Sequence, residues 1–151
     1  MRKELKIRLA NPQTAIDKIK SLGATYLHDA TYEYTYFNQP EGKVLKLTKK
    51  DGKTNKTVIE READRFVIKS SDELTSPKEV ADELTAQYGL KRHLVNHRSF
   101  YEYDNYELSI NDIEGLGIFL IVEGEDPQLD FVTNTLEIEE PEVIKVSFDN
   151  L

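Results

Sequence analysis

Hydrophobic and polar residues alternate with a period of two along most of the chain, which predicts antiparallel strands with two different faces. In the first strand, positions 5, 7 and 9 are apolar, whereas positions 2, 4, 6 and 8 are charged. Asp51-Gly52 and Asp104-Asn105 predict tight turns between neighbouring strands. The predicted strands are 3–9, 31–37, 43–49, 56–62, 65–70, 94–103, 106–111, 117–125 and 143–148.

Three other segments have helical spacing, and each follows a residue pair that is typical of a helix start. The pairs are Asn11-Pro12, Ser76-Pro77 and Asp126-Pro127. A polar side chain at the cap accepts hydrogen bonds from free backbone N–H groups, and proline at the first helical position has no N–H to lose. Ser76 with Glu79 also predicts a capping box. Gly23 and Gly89 end the first two helices.

The order of the elements repeats within the chain. A strand, a proline-started helix, a glycine stop, an aromatic strand and a hairpin occur twice, with aromatic residues at 34–37 and again at 100–103. Two such halves can pair into a closed antiparallel barrel, which removes exposed sheet edges. No linker rich in Ser, Gly or Pro separates them, so we predict one α+β domain over residues 1–151.

Composition narrows the functional classes. The 151 residues include 20 Lys and Arg against 28 Asp and Glu, a formal net charge of −8, which argues against nucleic acid as a bulk partner. The absence of cysteine excludes disulfides, thiolate metal sites and a cysteine nucleophile, and it fits the reducing cytoplasm, where we expect the protein. We expect no membrane span, since no run of about 18 apolar residues occurs. We expect no signal peptide, since the segment of residues 1–4 is charged and leads directly into patterned sequence.

The polar face of the strands has two interpretations. It is either the hydrated face of an antiparallel sheet or the charged inside of a barrel. Lys and Arg are prominent on it although the protein is acidic overall. A cationic cavity in an acidic protein suits a small, highly charged anion such as polyphosphate. On that interpretation Glu4 and Glu123 could hold Mg²⁺ beside the phosphates.

Five segments resemble the CYTH superfamily, which includes class IV adenylate cyclases and thiamine triphosphatases and is also called the triphosphate tunnel metalloenzymes. Arg2–Lys6 stands in the place of its N-terminal E-x-E-x-K strand. The other segments are Leu45–Thr48 for L-R-x-R, Asn96–Tyr101 for K-x-R-x-x-Y, Ile110–Phe119 for L-D-x-V-E-G-L-G-x-F and Ser147–Leu151 for S-Y-x-x-L. They occur in the family order and span nearly the whole chain, so the sequence is identified as a divergent member.

The resemblance implies a closed eight-stranded antiparallel β-barrel, built from two related halves with helices packed outside, that binds a triphosphate and Mg²⁺ or Mn²⁺. The residues it assigns to the phosphates are Lys6, Arg8, Lys46, Arg61, Lys69 and Arg98. Those it assigns to the metal are Glu4, Glu123 and Asn111. The implied ligand is ATP, thiamine triphosphate, inorganic triphosphate or polyphosphate, and the implied assembly is a monomer or homodimer.

Several positions depart from the family pattern. Arg2, Asn111 and Ile121 replace acidic residues, and Thr48 replaces the second Arg of L-R-x-R. A two-metal mechanism is therefore not expected, because a second cation would lack anionic ligands. Two functions stay open. One is a metal-dependent triphosphate hydrolase or nucleotide cyclase with a reduced metal site, and the other is a non-catalytic module that binds triphosphate, polyphosphate or a nucleotide.

Overall fold

The computed structural model describes residues 2–151 and contains a β-barrel with two α-helices. The elements are β1 (Lys3–Arg8), α1 (Pro12–Ser21), β2 (Thr25–Phe37), β3 (Lys43–Lys50), β4 (Lys53–Glu62), β5 (Arg65–Glu73), α2 (Pro77–Tyr88), β6 (Leu90–Tyr103), β7 (Tyr106–Ile113), β8 (Gly117–Gly124) and β9 (Glu142–Val143). Phe131–Thr135 forms a π-helical turn and Phe148–Asn150 a 3-10 turn. Within the described residues, no helix has the length and apolar character needed to cross a bilayer.

Eight of the strands form a closed antiparallel barrel, which confirms the predicted fold class. The sheet runs β5-β4-β3-β2-β6-β7-β8-β1 and closes where β1 pairs with β5 through Glu4 and Phe66. Farther along β1, the short strand β9 takes over this side and pairs Val143 with Ile7. Together these pairings cover both sides of β1 and leave it no free edge.

The predicted internal repeat is present in the structure. The series β1-α1-β2-β3-β4 is followed by β5-α2-β6-β7-β8. The halves join through equivalent strands, since β2 pairs with β6 and β1 pairs with β5. β2 and β6 are therefore neighbours in the barrel wall, but their aromatic segments lie toward opposite ends of the antiparallel pair, since Tyr34 pairs with Leu94 and Phe100 pairs with His28.

The helices pack on the outer face of the barrel, over the apolar positions of the alternating pattern. Leu5 and Ile7 of β1 lie in one hydrophobic cluster with Ile19 of α1, and Leu45 of β3 lies in another with Leu84 of α2. The inner face is not wholly polar. It holds a third cluster that includes Tyr34, Tyr36, Phe66, Phe119 and Phe148.

Element boundaries differ from the sequence prediction at the starts of the paired strands β2 and β6 and near the C-terminus. β2 begins at Thr25 and β6 at Leu90, because exposed residues at 25–30 and 90–93, outside the expected bounds, also pair between these strands. The predicted strand at 143–148 shrinks to β9, after which Ile144 and Phe148 join the inner cluster. The third predicted helix is only the short π-helical turn with the residues just before it.

Both α-helices begin at the predicted prolines, but the expected side-chain caps are absent. Neither Asn11 nor Ser76 makes a side-chain cap hydrogen bond, so the predicted capping box does not form. The Asp51-Gly52 hairpin turn is confirmed, with φ angles of +52° and +76° and Lys50 paired to Lys53. These left-handed angles match the I′ type of hairpin turn that Asp-Gly favours.

The C-terminal segment, residues 142–151, closes one end of the barrel, which we call the closed end. The backbone N–H of Ile144 donates to the carbonyl oxygen of Lys6 at 2.8 Å. The Phe148 side chain is buried, with its ring centroid 5.0 Å from that of Phe119. The opposite end, which we call the open mouth, carries a cavity of about 420 Å³ lined by Tyr32, Thr48, Lys50, Asp51, Lys53, Asn55 and Ser71.

Replacing Phe148 with Ala should destabilise the fold by about 3–5 kcal/mol, because the change leaves a cavity where the C-terminal segment fills the closed end. Urea denaturation followed by far-UV circular dichroism measures the free energy of unfolding. The control is Val146→Ala in the same segment, where the side chain is 37% exposed and a much smaller loss is expected. Equal losses in the free energy of unfolding for the two variants would contradict the packing of Phe148 into the closed end.

Candidate functional site

Three basic side chains, Lys6, Lys46 and Arg98, project into the barrel from β1, β3 and β6. Strand register connects two of them. Lys6 lies opposite Ile121, which lies opposite Ser109, and the Ser109 hydroxyl accepts a hydrogen bond from an Arg98 terminal nitrogen at 2.9 Å. We call these three residues the inner cation cluster.

Each member of the inner cation cluster lies on the face of one or more aromatic rings. The measured distances to ring centroids are 4.1 Å and 4.2 Å from Lys6 Nζ to Phe66 and Phe148, 3.9 Å from Lys46 Nζ to Tyr34, and 4.6 Å and 5.3 Å from the Arg98 guanidinium carbon to Phe100 and Tyr32. The negative face of an aromatic ring attracts a cation by roughly 0.5–2 kcal/mol. The rings thus replace part of the hydration that these groups lose.

The inner cation cluster is not neutralised by ion pairs. In the described part of the chain, neither Lys6 nor Lys46 forms an ion pair with a carboxylate, and Arg98 Nε is buried without a hydrogen-bond partner. Burial lowers the pKa of Lys6 and of Lys46 to about 8, while Glu4 opposes this shift and Arg98 adds to it. An anion that enters the barrel would meet positive charge that no carboxylate has already paired.

Four glutamates form an acidic row beside this cluster. Glu4, Glu123, Glu107 and Glu102 lie in register on β1, β8, β7 and β6. Arg2 lies against the second of them, donating from Nε to Glu123 Oε1 at 3.1 Å. Burial and then the charge of Glu4 raise the pKa of Glu123, and Arg2 opposes that effect. Sequence reasoning missed Glu107 as a site residue, although it shares an alternating face with Asn111.

The residues present do not fit the divalent-metal site that the resemblance implies. The Asn111 side-chain oxygen accepts a hydrogen bond from Asn96 at 2.8 Å, and its amide nitrogen donates to Ser109. Arg2 already occupies an oxygen of Glu123. Residues 2–151 contain no group of three or more His, Asp or Glu side chains placed to hold a metal ion. The metal roles of Glu4, Glu123 and Asn111 therefore stay a prediction that these contacts do not favour.

The other three predicted phosphate ligands already contact carboxylates or carbonyl oxygens of this chain, and the Arg8 guanidinium carbon also lies 4.8 Å from the Phe119 ring centroid. Arg8 Nε donates to Glu142 at 2.6 Å, and Arg61 donates to the Lys145 carbonyl oxygen at 2.9 Å, so both hold the C-terminal segment at the closed end. Lys69 is exposed on the outer face, where it pairs with Glu60 and Glu62. Its assignment to the inner face is wrong, because Phe66 and Ile68 take the inner positions of β5.

Comparisons with known proteins identify a related sequence and several structures with the same fold. No family model matches the chain. A candidate adenylate cyclase from Methanocaldococcus jannaschii is 25% identical over 162 residues, which cover 98% of this chain and 91% of that protein. A solved protein of Pyrococcus horikoshii OT3 is 25% identical, with a TM-score of 0.85 over 100% of this chain and 99% of the other.

A more distant structure is that of a candidate adenylyl cyclase from Hippeastrum, which has a dominant triphosphatase activity. It is 17% identical to this chain, with a TM-score of 0.60 over 91% of this chain and 85% of the other. At that identity, the likeness establishes a shared barrel fold.

The buried lysines predict an unusual pH dependence for the ligand-free protein. Their pKa is about 8 when folded and 10.5 when unfolded, so above pH 8 the unfolded chain binds more protons and stability rises with pH. Each lysine contributes at most about 1.4 kcal/mol per pH unit. Urea denaturation between about pH 7.5 and about 9.5 measures this rise, below the range where Tyr36, whose pKa is raised by burial, ionises.

The control for this prediction removes one of the two lysines. Lys6→Met should reduce the pH-dependent rise, whereas Lys18→Met, on the outer surface of α1, should leave it unchanged. The same pH dependence in the parent and in Lys6→Met would contradict the assignment.

Proposed function

We propose that this chain, a divergent member of the CYTH superfamily, binds a triphosphate-containing ligand at the open mouth of its barrel. The inner cation cluster carries the proposal, because within residues 2–151 its two lysines form no ion pair with a carboxylate and Arg98 keeps a buried nitrogen without an acceptor. Leaving a buried donor unpaired costs roughly 1–3 kcal/mol, which a bound oxyanion would recover.

The cluster suits phosphate for reasons of charge and geometry. Two ammonium groups supply rotatable donors, and the Arg98 guanidinium supplies a planar fork that matches two phosphate oxygens. The side chains lie between aromatic rings that keep water away, which strengthens the attraction between opposite charges. A chain of phosphates spanning β1, β3 and β6 would contact all three cations.

The open mouth provides room for the group that carries the triphosphate. Its cavity of about 420 Å³ is lined in part by Tyr32 and Lys50, and the Lys50 Nζ lies 5.6 Å from the centroid of the Tyr32 ring. The Arg98 guanidinium carbon lies 5.3 Å from the centroid of the same ring, so Tyr32 separates the mouth cavity from the inner cation cluster by one side chain. An aromatic group stacked on Tyr32 could therefore extend from phosphates bound inside.

The related proteins support a nucleotide or triphosphate ligand. The Methanocaldococcus jannaschii protein is named as a candidate adenylate cyclase, and the Hippeastrum protein, which shares the fold, has triphosphatase activity. Both activities act on triphosphates. The proposal for this chain rests on its own cations and uses these relatives as support for the ligand class.

Replacing Lys46 with Gln should weaken binding of inorganic triphosphate by about tenfold or more, because it removes a buried charge from the cluster. Isothermal titration calorimetry measures the dissociation constant. The matched control is Lys69→Gln, which makes the same change on the outer face and should bind like the parent. If both variants bind like the parent, the ligand does not lie in the inner cation cluster.

Triphosphate hydrolysis is the second candidate function, and the acidic row favours it. Glu4 is buried beside the cations, and the raised pKa of Glu123 makes that carboxylate a better proton acceptor for an attacking water. Glu123→Gln should therefore reduce turnover about 100-fold or more. The assay follows phosphate release from inorganic triphosphate, ATP and thiamine triphosphate, with and without Mg²⁺ or Mn²⁺.

The conservative control for turnover is Glu114→Gln, since this glutamate pairs with His97 at an exposed position. Phosphate release by the parent that is lost in Glu123→Gln and kept in Glu114→Gln would identify the protein as an enzyme. Product analysis with ATP separates hydrolysis from cyclisation. No phosphate release and no cyclic product, with triphosphate binding intact, would leave binding as the function.

A further inference from the structure

Arg2 brings a positive charge to the acidic row. Its guanidinium donates from Nε to Glu123 Oε1 at 3.1 Å and from a terminal nitrogen to the Glu123 carbonyl oxygen at 3.4 Å. Glu123 lies within the row, with Glu4 on one neighbouring strand and Glu107 on the other. Arg2 thus reduces the repulsion between Glu123 and these two neighbours.

We propose that the guanidinium of Arg2 takes the position of a divalent cation in this site, so that the chain binds triphosphate without a metal ion. The inference rests on the proposed function, since it concerns how that same ligand is held. It assigns to one side chain the bridging role between carboxylates and phosphates.

The geometry of an arginine suits this role. Guanidinium carries five N–H donors in a planar fork and can pair with a carboxylate on one edge and a phosphate on the other. Glu123 takes one Nε donor and one terminal donor, and the other terminal nitrogen has no hydrogen-bond partner within the described residues. The Arg2 side chain is 49% exposed and lines a cavity of about 320 Å³ together with Glu102, Asp104 and Glu107. Among residues 2–151, its free donors are therefore the one cationic group that this acidic cavity offers to an entering anion.

A divalent metal would have to break the contacts that this chain makes. It would displace Arg2 from Glu123, and it would separate the Asn111 oxygen from Asn96 before that oxygen became a ligand. Mg²⁺ also demands near-octahedral oxygen geometry and gives up its water reluctantly. A divalent cation next to Arg2 would also be repelled by the positive charge of the guanidinium. The guanidinium and a metal ion are therefore alternatives at this position.

The test measures binding of inorganic triphosphate by calorimetry, in EDTA and in Mg²⁺, for the parent and two Arg2 variants. The parent should bind in EDTA at least as tightly as in Mg²⁺. Arg2→Gln should weaken binding in EDTA by about tenfold or more, and Arg2→Glu should lose it there by a larger factor. The matched controls are Lys18→Gln and Lys18→Glu, which make the same charge changes at a distant ion pair with Glu137.

The outcomes separate this inference from the proposed function. Binding by the parent only in Mg²⁺ would overturn the role of Arg2 while the triphosphate site stands. Equal binding in EDTA by the parent and Arg2→Gln would overturn it as well. Absence of binding in both buffers would overturn the proposed function and the role of Arg2 together. Circular dichroism checks that the variants fold, which the exposure of the Arg2 side chain leads us to expect.

Discussion

The structure depends on holding three cations inside a closed barrel on aromatic rings, while Glu4 acts on them without forming an ion pair within residues 2–151. Lys6 lies between Phe66 and Phe148, and Lys46 lies on Tyr34, so burial that lowers their pKa is partly offset by the ring faces. Charge buried in this way destabilises the ligand-free fold. Binding of an anionic ligand, as proposed above, is a reason to retain this buried positive charge.

The closed end makes that arrangement possible. Phe148 supplies one of the rings beneath Lys6, and it belongs to the C-terminal segment that Arg8 and Arg61 fasten to the barrel. Two arginines expected to bind phosphate therefore support the site from outside the cation cluster. Ligand access is left to the opposite end, where Arg98 and Lys50 share the Tyr32 ring. The net charge of −8 does not conflict with an anionic ligand, because the unpaired cations lie inside.

Much of the barrel could be predicted from the alternating pattern, because one face of most strands is consistently apolar and packs beneath a helix. The same rule failed for β5. The inner face of this barrel is itself partly aromatic, so Phe66 and Ile68 face inward and Lys69 outward, although an apolar face is expected to pack outside, beneath a helix. The exposed extension of β2 at residues 25–30 lacked the apolar alternation that marks a strand.

The sequence predicts the candidate site only in part, because motifs identify residues but not the contacts between them. Lys6, Lys46 and Arg98 were found because their motifs match a known family, and the structure brings them together. The contact between Arg2 and Glu123 joins residues from opposite ends of the chain and follows only from the register of β1 on β8. The hydrogen bond that turns the Asn111 oxygen toward Asn96 likewise depends on packing inside the barrel, which no motif records.

A crystal structure of the protein with inorganic triphosphate tests the central claim most directly. The account predicts phosphate density inside the barrel, within hydrogen-bond distance of Lys6, Lys46 and Arg98, with the C-terminal segment still closing the opposite end. Density confined to the outer face, for example at Lys69, would contradict it.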